Sequence, residues 1–322
     1  MASSSSSSIG HRRPRLADEQ EQTPPAQVPR RQGKAEEEEE EETRDWTELP
    51  VDALLAVFGK LDGVDILMGA GHVCRPWRRA TREEPELWRR VHMRRRARLA
   101  YDVDIEAAAR TAVRRSAGRC EAFLAEDYDG APMGYDDDFF LFLADAAPML
   151  KSLRLISCNK VFPQMINQTI RKFPLLEELE LSLYHRGSID DCLIGISEAC
   201  PLVTCLRLNH DRFYYLRMPF MGGWCKCKST EVARMRRLRS LQLFGNSIRN
   251  EELSAILDGC RQLESLDIRH CLKVRMNDEM RASWFARVKT VRLPEDSMED
   301  YELPYGNPIN DFIYYSGVMY PD

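Results

Sequence analysis

The chain has 322 residues, 43% apolar and 30% charged, with a formal net charge of -5. That is too long for one small core and describes a soluble globular chain, with two domains or one elongated array expected. Its longest apolar stretch, Phe139 to Leu150, is broken by Asp145 and falls short of the ~20 apolar residues that span a bilayer, which excludes membrane insertion.

The N-terminus offers Ser3 to Ser8 where a secretory signal needs a basic region and an apolar core. The chain is therefore expected inside the cell, in cytoplasm, nucleus or both. Its ten cysteines then read as reduced thiols acting as small hydrophobes, without a disulfide framework. Residues 1–43 carry six Lys or Arg against ten Asp or Glu, which gives -4 and leaves -1 for the rest. With Pro24-Pro25 and seven glutamates from Glu36 to Glu42, this tail cannot bury enough apolar area to offset ordering. It is expected to be a disordered, solvating spacer more than a docking arm for a basic partner.

Order begins at Trp46. Leu54, Phe58 and Leu61 stand at i, i+4 and i+7, the stripe of a short amphipathic helix, with Pro50 where a first turn tolerates proline. Asp65, Ile66 and Leu67 suggest a second short helical turn, and Val73 and Trp77 a third helix, with Leu87 and Trp88 packing behind. Roughly forty residues sit near the size at which a chain needs a partner or a larger domain to hold a fold. Their surplus apolar surface should be covered, by another protein or by the following domain as a plain cap.

Leu49-Pro50, Leu54-Leu55, Val57-Phe58, Leu61, Asp65-Ile66-Leu67, Val73-Cys74-Arg75, Trp77-Arg78 and Leu87-Trp88 together resemble the F-box. The resemblance implies docking on the Skp adaptor of a cullin ubiquitin ligase. Trp46, Leu49, Pro50, Val57, Phe58, Leu61, Ile66 and Leu67 would form the adaptor interface, with Val73 and Trp77 holding the third helix. Pro76 departs from a regular third helix, where it would kink or end the chain's course at ~3 kcal/mol.

Further on, the pattern apolar-x-x-apolar-x-apolar starts at Leu150, Leu176, Val203, Leu238, Leu263 and Val288, separated by 26, 27, 35, 25 and 25 residues, with a degenerate copy at Cys120. Those periods fit leucine-rich repeats, each an extended strand followed by a helical segment. Eight residues after each clear start stand Cys158, Tyr184, Asp211, Asn246, Cys271 and Asp296, where the chain turns beneath the strand. Ser188 before Ile189, Leu193 and Ile196, and Asn250 before Leu253, Ile256, Leu257 and Gly259, supply helix caps, apolar faces and a stop. The acidic run Asp136 to Asp138 reads as a helix start. The fold class is α/β: a short three-helix F-box followed by a solenoid with parallel strands on the concave face and helices outside.

Domain limits follow as a tail at 1–43, the F-box at 44–90, a basic linker or repeat cap at 91–118, about seven repeats at 119–294, and an acidic aromatic C-terminal cap at 295–322. An insertion at 210–229 carries Tyr214, Tyr215, Phe220, Trp224 and Cys225-x-Cys227. Two thiols and His210 do not complete a zinc site, so no metal or other cofactor is expected. The C-terminal piece, with Tyr301, Tyr305, Phe312, Tyr314, Tyr315 and Tyr320, should fold over the final strand or line a pocket.

Strand residues facing away from the core form the natural reading surface: Arg154, Glu180, Arg207, Gln242, Phe244, Asp267, Arg269 and Arg292. Their mixed charge suits an unidentified protein substrate and disfavours nucleic acid, which needs a coherent basic stripe. The cluster Arg89, Arg90, Arg94, Arg95, Arg96 and Arg98 reads as paired with Glu83, Glu84 and Glu86, or as solvated. No catalytic motif occurs and no catalytic residue is assigned.

F-box followed by repeats resembles the plant F-box proteins with leucine-rich repeats, as do the phrases PLLEELELS, LQLFGNSI, LDGCRQLESLDIRHC and VKTVRLPED, and VHMRR just after the F-box. That implies a non-catalytic substrate receptor, bound through the Skp-type adaptor to cullin and acting by proximity. The other reading is a repeat scaffold for protein interaction with no ligase connection.

Overall fold

A computed structural model describes residues 45–94, 103–127, 134–184, 190–210 and 229–303. The tail, the insertion with Cys225 and Cys227, Arg95 to Arg98, and the aromatics beyond Leu303 lie outside the described residues. In the front segment, a single 3-10 turn over Trp46–Glu48 is fixed by Asp45, whose side chain accepts from the Thr47 amide at 2.8 Å. Helix α1, Val51–Phe58, follows Pro50 and buries Leu54 and Phe58. It ends at Gly59, so Leu61 lies beyond it and is 39% exposed. The expected three-residue stripe therefore holds for its first two members only.

The second helical run is continuous: α2 (Gly63–Asp65), a π-helical turn (Ile66–Ala70) and α3 (Gly71–Val73). Extended Cys74, at φ -152° and ψ 172°, breaks it before α4, Arg75–Glu83. Val73 and Trp77 thus belong to different helices, and Val73 is 61% exposed. Pro76 sits in the first turn of α4, where its missing N–H had no helical acceptor to lose, so no kink results.

Eight strands form one all-parallel sheet in chain order: β1 (Arg90–Arg94), β2 (Ala122–Glu126), β3 (Ser152–Ile156), β4 (Glu178–Ser182), β5 (Cys205–Arg207), β6 (Ser240–Gln242), β7 (Ser265–Asp267) and β8 (Thr290–Arg292). Their register sets Val91, Phe123, Leu153, Leu179, Leu206, Leu241, Leu266 and Val291 in one row, the second apolar position of each repeat. Parallel neighbours need a crossover, and the described ones are α5 (Ile105–Arg115), α6 (Asp137–Ala146), α7 (Pro163–Thr169), α8 (Asp190–Ala199), α9 (Ser229–Arg234), α10 (Asn250–Gly259) and α11 (Asp278–Phe285).

The sheet begins one strand earlier than the repeat pattern suggests. Within the stretch read as a basic linker lie most of β1 and all of α5. Trp88, Val91 and Met93, all buried, obey the same apolar-x-x-apolar-x-apolar spacing, but a run of arginines around them masks it. Asp136 caps α6 by accepting from the Phe139 amide, as its sequence suggests. Asn250 does not cap α10. The Glu252 carboxylate accepts from the Arg249 amide there, while Asn250 reaches the next repeat, bonding both the amide and the carbonyl of Arg275.

Two devices recur at the turn beneath the strands. Seven residues after the start of four repeats the backbone adopts positive φ, at Ser157 (56°), Leu183 (55°), Gly245 (66°) and His270 (59°). One residue later, side chains tie neighbouring coils together. Cys158 Sγ donates to Ala125 O at 3.6 Å, Cys271 Sγ to Leu243 O at 2.8 Å, and the Tyr184 hydroxyl to Val161 O. Where helices end, Cys200 and Cys260 donate likewise to Ile170 O and Val232 O of the preceding coil. Burial raises every one of these thiols, Cys200 and Cys260 to about 11. They stay protonated, which a donor must.

Of these four positions, only Gly245 meets the positive-φ requirement without a Cβ against the following carbonyl. Gly245→Ala is expected to lower unfolding free energy by about 1 kcal/mol, measured by urea denaturation. An unchanged midpoint would show that the turn relaxes freely.

Candidate docking and recognition surfaces

The front helices have two faces. Leu54, Phe58, Val64 and Ile66 are at most 4% exposed and join one apolar cluster that continues through the repeats as far as Val288. Trp88 makes the junction. It is 1% exposed, its Nε1 donates to Thr81 O at 2.9 Å, and Arg115 of α5 lies over its ring while donating to the same carbonyl. Gly63 completes the contact, since a Cβ there would stand about 3.0 Å from Met93 Sδ and 3.1 Å from His92 O.

The other face is uncovered. Among the described residues ten large apolar side chains are exposed, and six of them fall between positions 46 and 73: Trp46, Val51, Val57, Leu61, Met68 and Val73. Such a concentration marks an interface. Of the residues expected there, Trp46, Pro50, Val57 and Leu61 are exposed, and Leu49 and Leu67 half-buried. Phe58 and Ile66 are removed from it, because the chain's own core encloses them at 0% and 4% exposure. Val51 and Met68, not among the expected residues, are exposed on the same segment. A strict helical stripe misses Met68 because the π-turn rotates it away from the position that 3.6-residue spacing assigns it. Trp77 braces the edge: it meets Phe58 edge-on at 5.3 Å and donates to Trp46 O at 3.0 Å.

On the opposite side of the core, Arg154, Glu180, Arg207, Gln242, Asp267 and Arg292 stand in one row across β3 to β8. The structure joins them sideways. Arg154 Nε holds Glu180 at 2.5 Å, Ser182 adds a hydrogen bond at 2.7 Å, Arg207 pairs with Glu178, and Gln242 donates to Asp267 at 3.0 Å. Glu180 and Asp267 are consequently only 1% and 8% exposed. Phe244 and Arg269, at 0% and 3%, are buried as well, beneath Asp300 and Tyr301 of the C-terminal segment. Arg154, Arg207, Gln242 and Arg292 keep part of their surface. Four guanidiniums on this face (Arg154, Arg207, Arg269, Arg292) meet three carboxylates (Glu178, Glu180, Asp267).

Of the basic cluster behind Trp88, Arg89 and Arg94 are paired, with one of the expected acids, Glu86, and with two acids at the ends of β2. Arg89 reaches Glu121 at 2.8 Å and Glu86 at 3.7 Å, and Arg94 reaches Glu126. Glu83 pairs with Arg79 instead. No group of three or more His, Cys, Asp or Glu among the described residues could hold a metal ion, and no described helix is long and apolar enough to cross a membrane.

Helices with an uncovered apolar face, continuing through a shared core into a coil of parallel strands, define an F-box protein with leucine-rich repeats. An F-box-like family profile matches residues 46–94. Putative F-box/LRR-repeat protein 23 of Arabidopsis thaliana is 33% identical over 258 residues, 79% of this chain and 54% of that protein, so the chain spans about half its length. From the same plant, F-box protein SKIP19 is 33% identical over 263 residues, 81% of each chain, and Putative F-box/LRR-repeat protein 22 is 31% identical over 80% of this chain and 79% of its own. The chain belongs to the plant F-box/leucine-rich-repeat family.

Two outcomes follow from this geometry. Trp88→Ala should lower stability by about 3–5 kcal/mol, and urea unfolding followed by circular dichroism should show front helices and repeats melting together. Two separate transitions would contradict a shared core. For Glu178, burial pushes the carboxyl up, but the Ser152 hydrogen bond and the Arg207 charge outweigh it and hold the group below its ordinary value. A carboxylate depressed by folding stabilises above its unfolded pKa, near 4.5, and loses that contribution as pH falls through the lower folded value. Glu178→Gln should therefore cost about 1 kcal/mol at pH 7, with the gap to wild type closing as pH falls from 4.5 through the lower folded value. A gap independent of pH would locate the effect in packing.

Proposed function

We infer that this chain is the substrate-recognition subunit of a Skp-cullin-F-box ubiquitin ligase. The exposed face of its front helices binds the Skp-type adaptor, and its repeats hold a protein substrate. The observation carrying this reading is the apolar patch of Trp46, Val51, Val57, Leu61 and Met68, displayed on a segment whose opposite face is already fixed in the core. A plain cap would have no reason to present it. The chain contributes placement rather than chemistry: bound to the adaptor, it raises the effective concentration of substrate lysines near the ubiquitin-charged enzyme.

The test separates surface from core. Val57→Asp with Leu61→Asp alters exposed positions, so stability should change by less than about 1 kcal/mol. Capture of a recombinant Skp-type adaptor should nevertheless fall at least a hundredfold in a surface-immobilised binding assay. Wild-type chain that ignores the adaptor would favour a repeat scaffold without ligase connection. Phe58→Ala is the contrasting variant, expected to lose about 3–5 kcal/mol of folding stability.

A further inference from the structure

After β8 the chain turns back over the strand face it has just completed. Asp300 bridges two arginines, with Oδ1 2.6 Å from Arg269 Nη1 and Oδ2 2.7 Å from Arg292 Nη2. The Tyr301 ring stacks on Phe244 at 3.9 Å with 14° between planes, and the Arg269 guanidinium lies 5.5 Å from its centre. Glu302 reaches Arg154 at 3.7 Å, and Leu303 closes a small apolar cluster with Ile156 and Leu183. Residues 300–303 therefore travel from β8 to β3 across the middle of the sheet, where an end cap would stay beside the last strand.

Each step is met by a different chemistry. Two guanidinium forks select a carboxylate, a stacked aromatic selects a ring, a further arginine selects a second acid, and an apolar notch selects an aliphatic side chain. The face carries four guanidiniums against three carboxylates, which favours an acidic segment. The two acids lie at the surface, Asp300 51% and Glu302 81% exposed, and Leu303 packs in a small cluster apart from the main core. Such a segment can leave without opening the core.

The geometry points to a peptide-binding strip on the repeats for extended segments of the pattern acid-aromatic-acid-aliphatic, occupied in the free chain by its own Asp300-Tyr301-Glu302-Leu303. This rests on the reading of the repeats as the substrate-holding domain. A substrate carrying the same pattern displaces the resident segment. Because that segment is tethered a few residues from β8, its effective concentration is on the order of millimolar. A partner must match the pattern and gain further contacts, for which partly exposed Arg207 and Gln242 are available. The resident segment thus sets a threshold against weak, unspecific ligands.

The probe is a fluorescein-labelled peptide SMEDYEL, the sequence of residues 297–303, titrated by anisotropy against full-length chain. Asp300→Ala with Tyr301→Ala, which frees the strip, should bind it at least tenfold tighter than wild type. Adding Arg292→Glu should cancel the gain. Equal binding by wild type and the freed variant, or equal binding of a scrambled peptide, would overturn the inference. Should the double variant fail to fold, the near-isosteric Asp300→Asn must still tighten binding at least threefold, and no change there overturns it too. Adaptor capture is measured on the same preparations. Wild type that captures adaptor while the freed variant ignores the peptide refutes the strip alone, whereas peptide binding without adaptor capture refutes the ligase reading alone.

Discussion

A coil of parallel strands has two ends, and neither can be left open. The first strand offers unpaired backbone groups and the edge of an apolar core, both hazards for association. Here the front end is closed by the helical run from Gly63, which approaches β1 so closely that a Cβ at Gly63 would press on Met93 and on the carbonyl of His92. Trp88 locks that approach. It is at once the last large side chain of the front helices and the first apolar position of the repeat series, and its hydrogen bond to Thr81 is shared with Arg115 of the next helix. Everything downstream takes its register from this fixed strand.

Capping and docking are consequently two faces of one segment. Leu54, Phe58, Val64 and Ile66 close the coil, and that leaves Val51, Val57, Leu61 and Met68 outward on a scaffold that no longer needs a partner to fold. A segment of about forty residues could not have both roles in isolation, since its core would be too small. Fused to the repeats, it presents a rigid apolar surface whose side chains are already ordered. Association then costs less conformational entropy than docking of a segment that folds on contact.

Much of this was legible in the sequence because the signals are periodic. The apolar row from Phe123 to Val291 is the repeat pattern itself, and the register of each strand pair follows it. The first strand escaped because Arg89, Arg90 and Arg94 flank it, and charge dominated a reading that the spacing of Trp88, Val91 and Met93 would have corrected. Phe58 was legible as inward from its helical stripe, and only the family resemblance set it and Ile66 at the interface, while Leu61 faces out because α1 ends at Phe58. The positive-φ turns were illegible: Ser157, Leu183 and His270 carry no sign of a left-handed backbone, and only Gly245 hints at it. Residues 300–303 lie beyond the last repeat, where periodicity says nothing.

The strand face illustrates why charge read from sequence overstates what a partner meets. Arg154, Glu180 and Arg207 look like alternating readers, yet parallel strands about 4.8 Å apart bring each within reach of the next, and the pairs form laterally before any ligand arrives. Breaking such a pair to bind something else would strand a buried carboxylate at Glu180, a strongly unfavourable outcome. On the proposed reading of the repeats, recognition is confined to charge left over after lateral pairing, together with shape: the second fork of Arg269, the exposed side of Arg292 and the flat face of Phe244. A surface of this kind discriminates through a few fixed, pre-oriented groups, and its specificity depends on the order in which they occur along the coil.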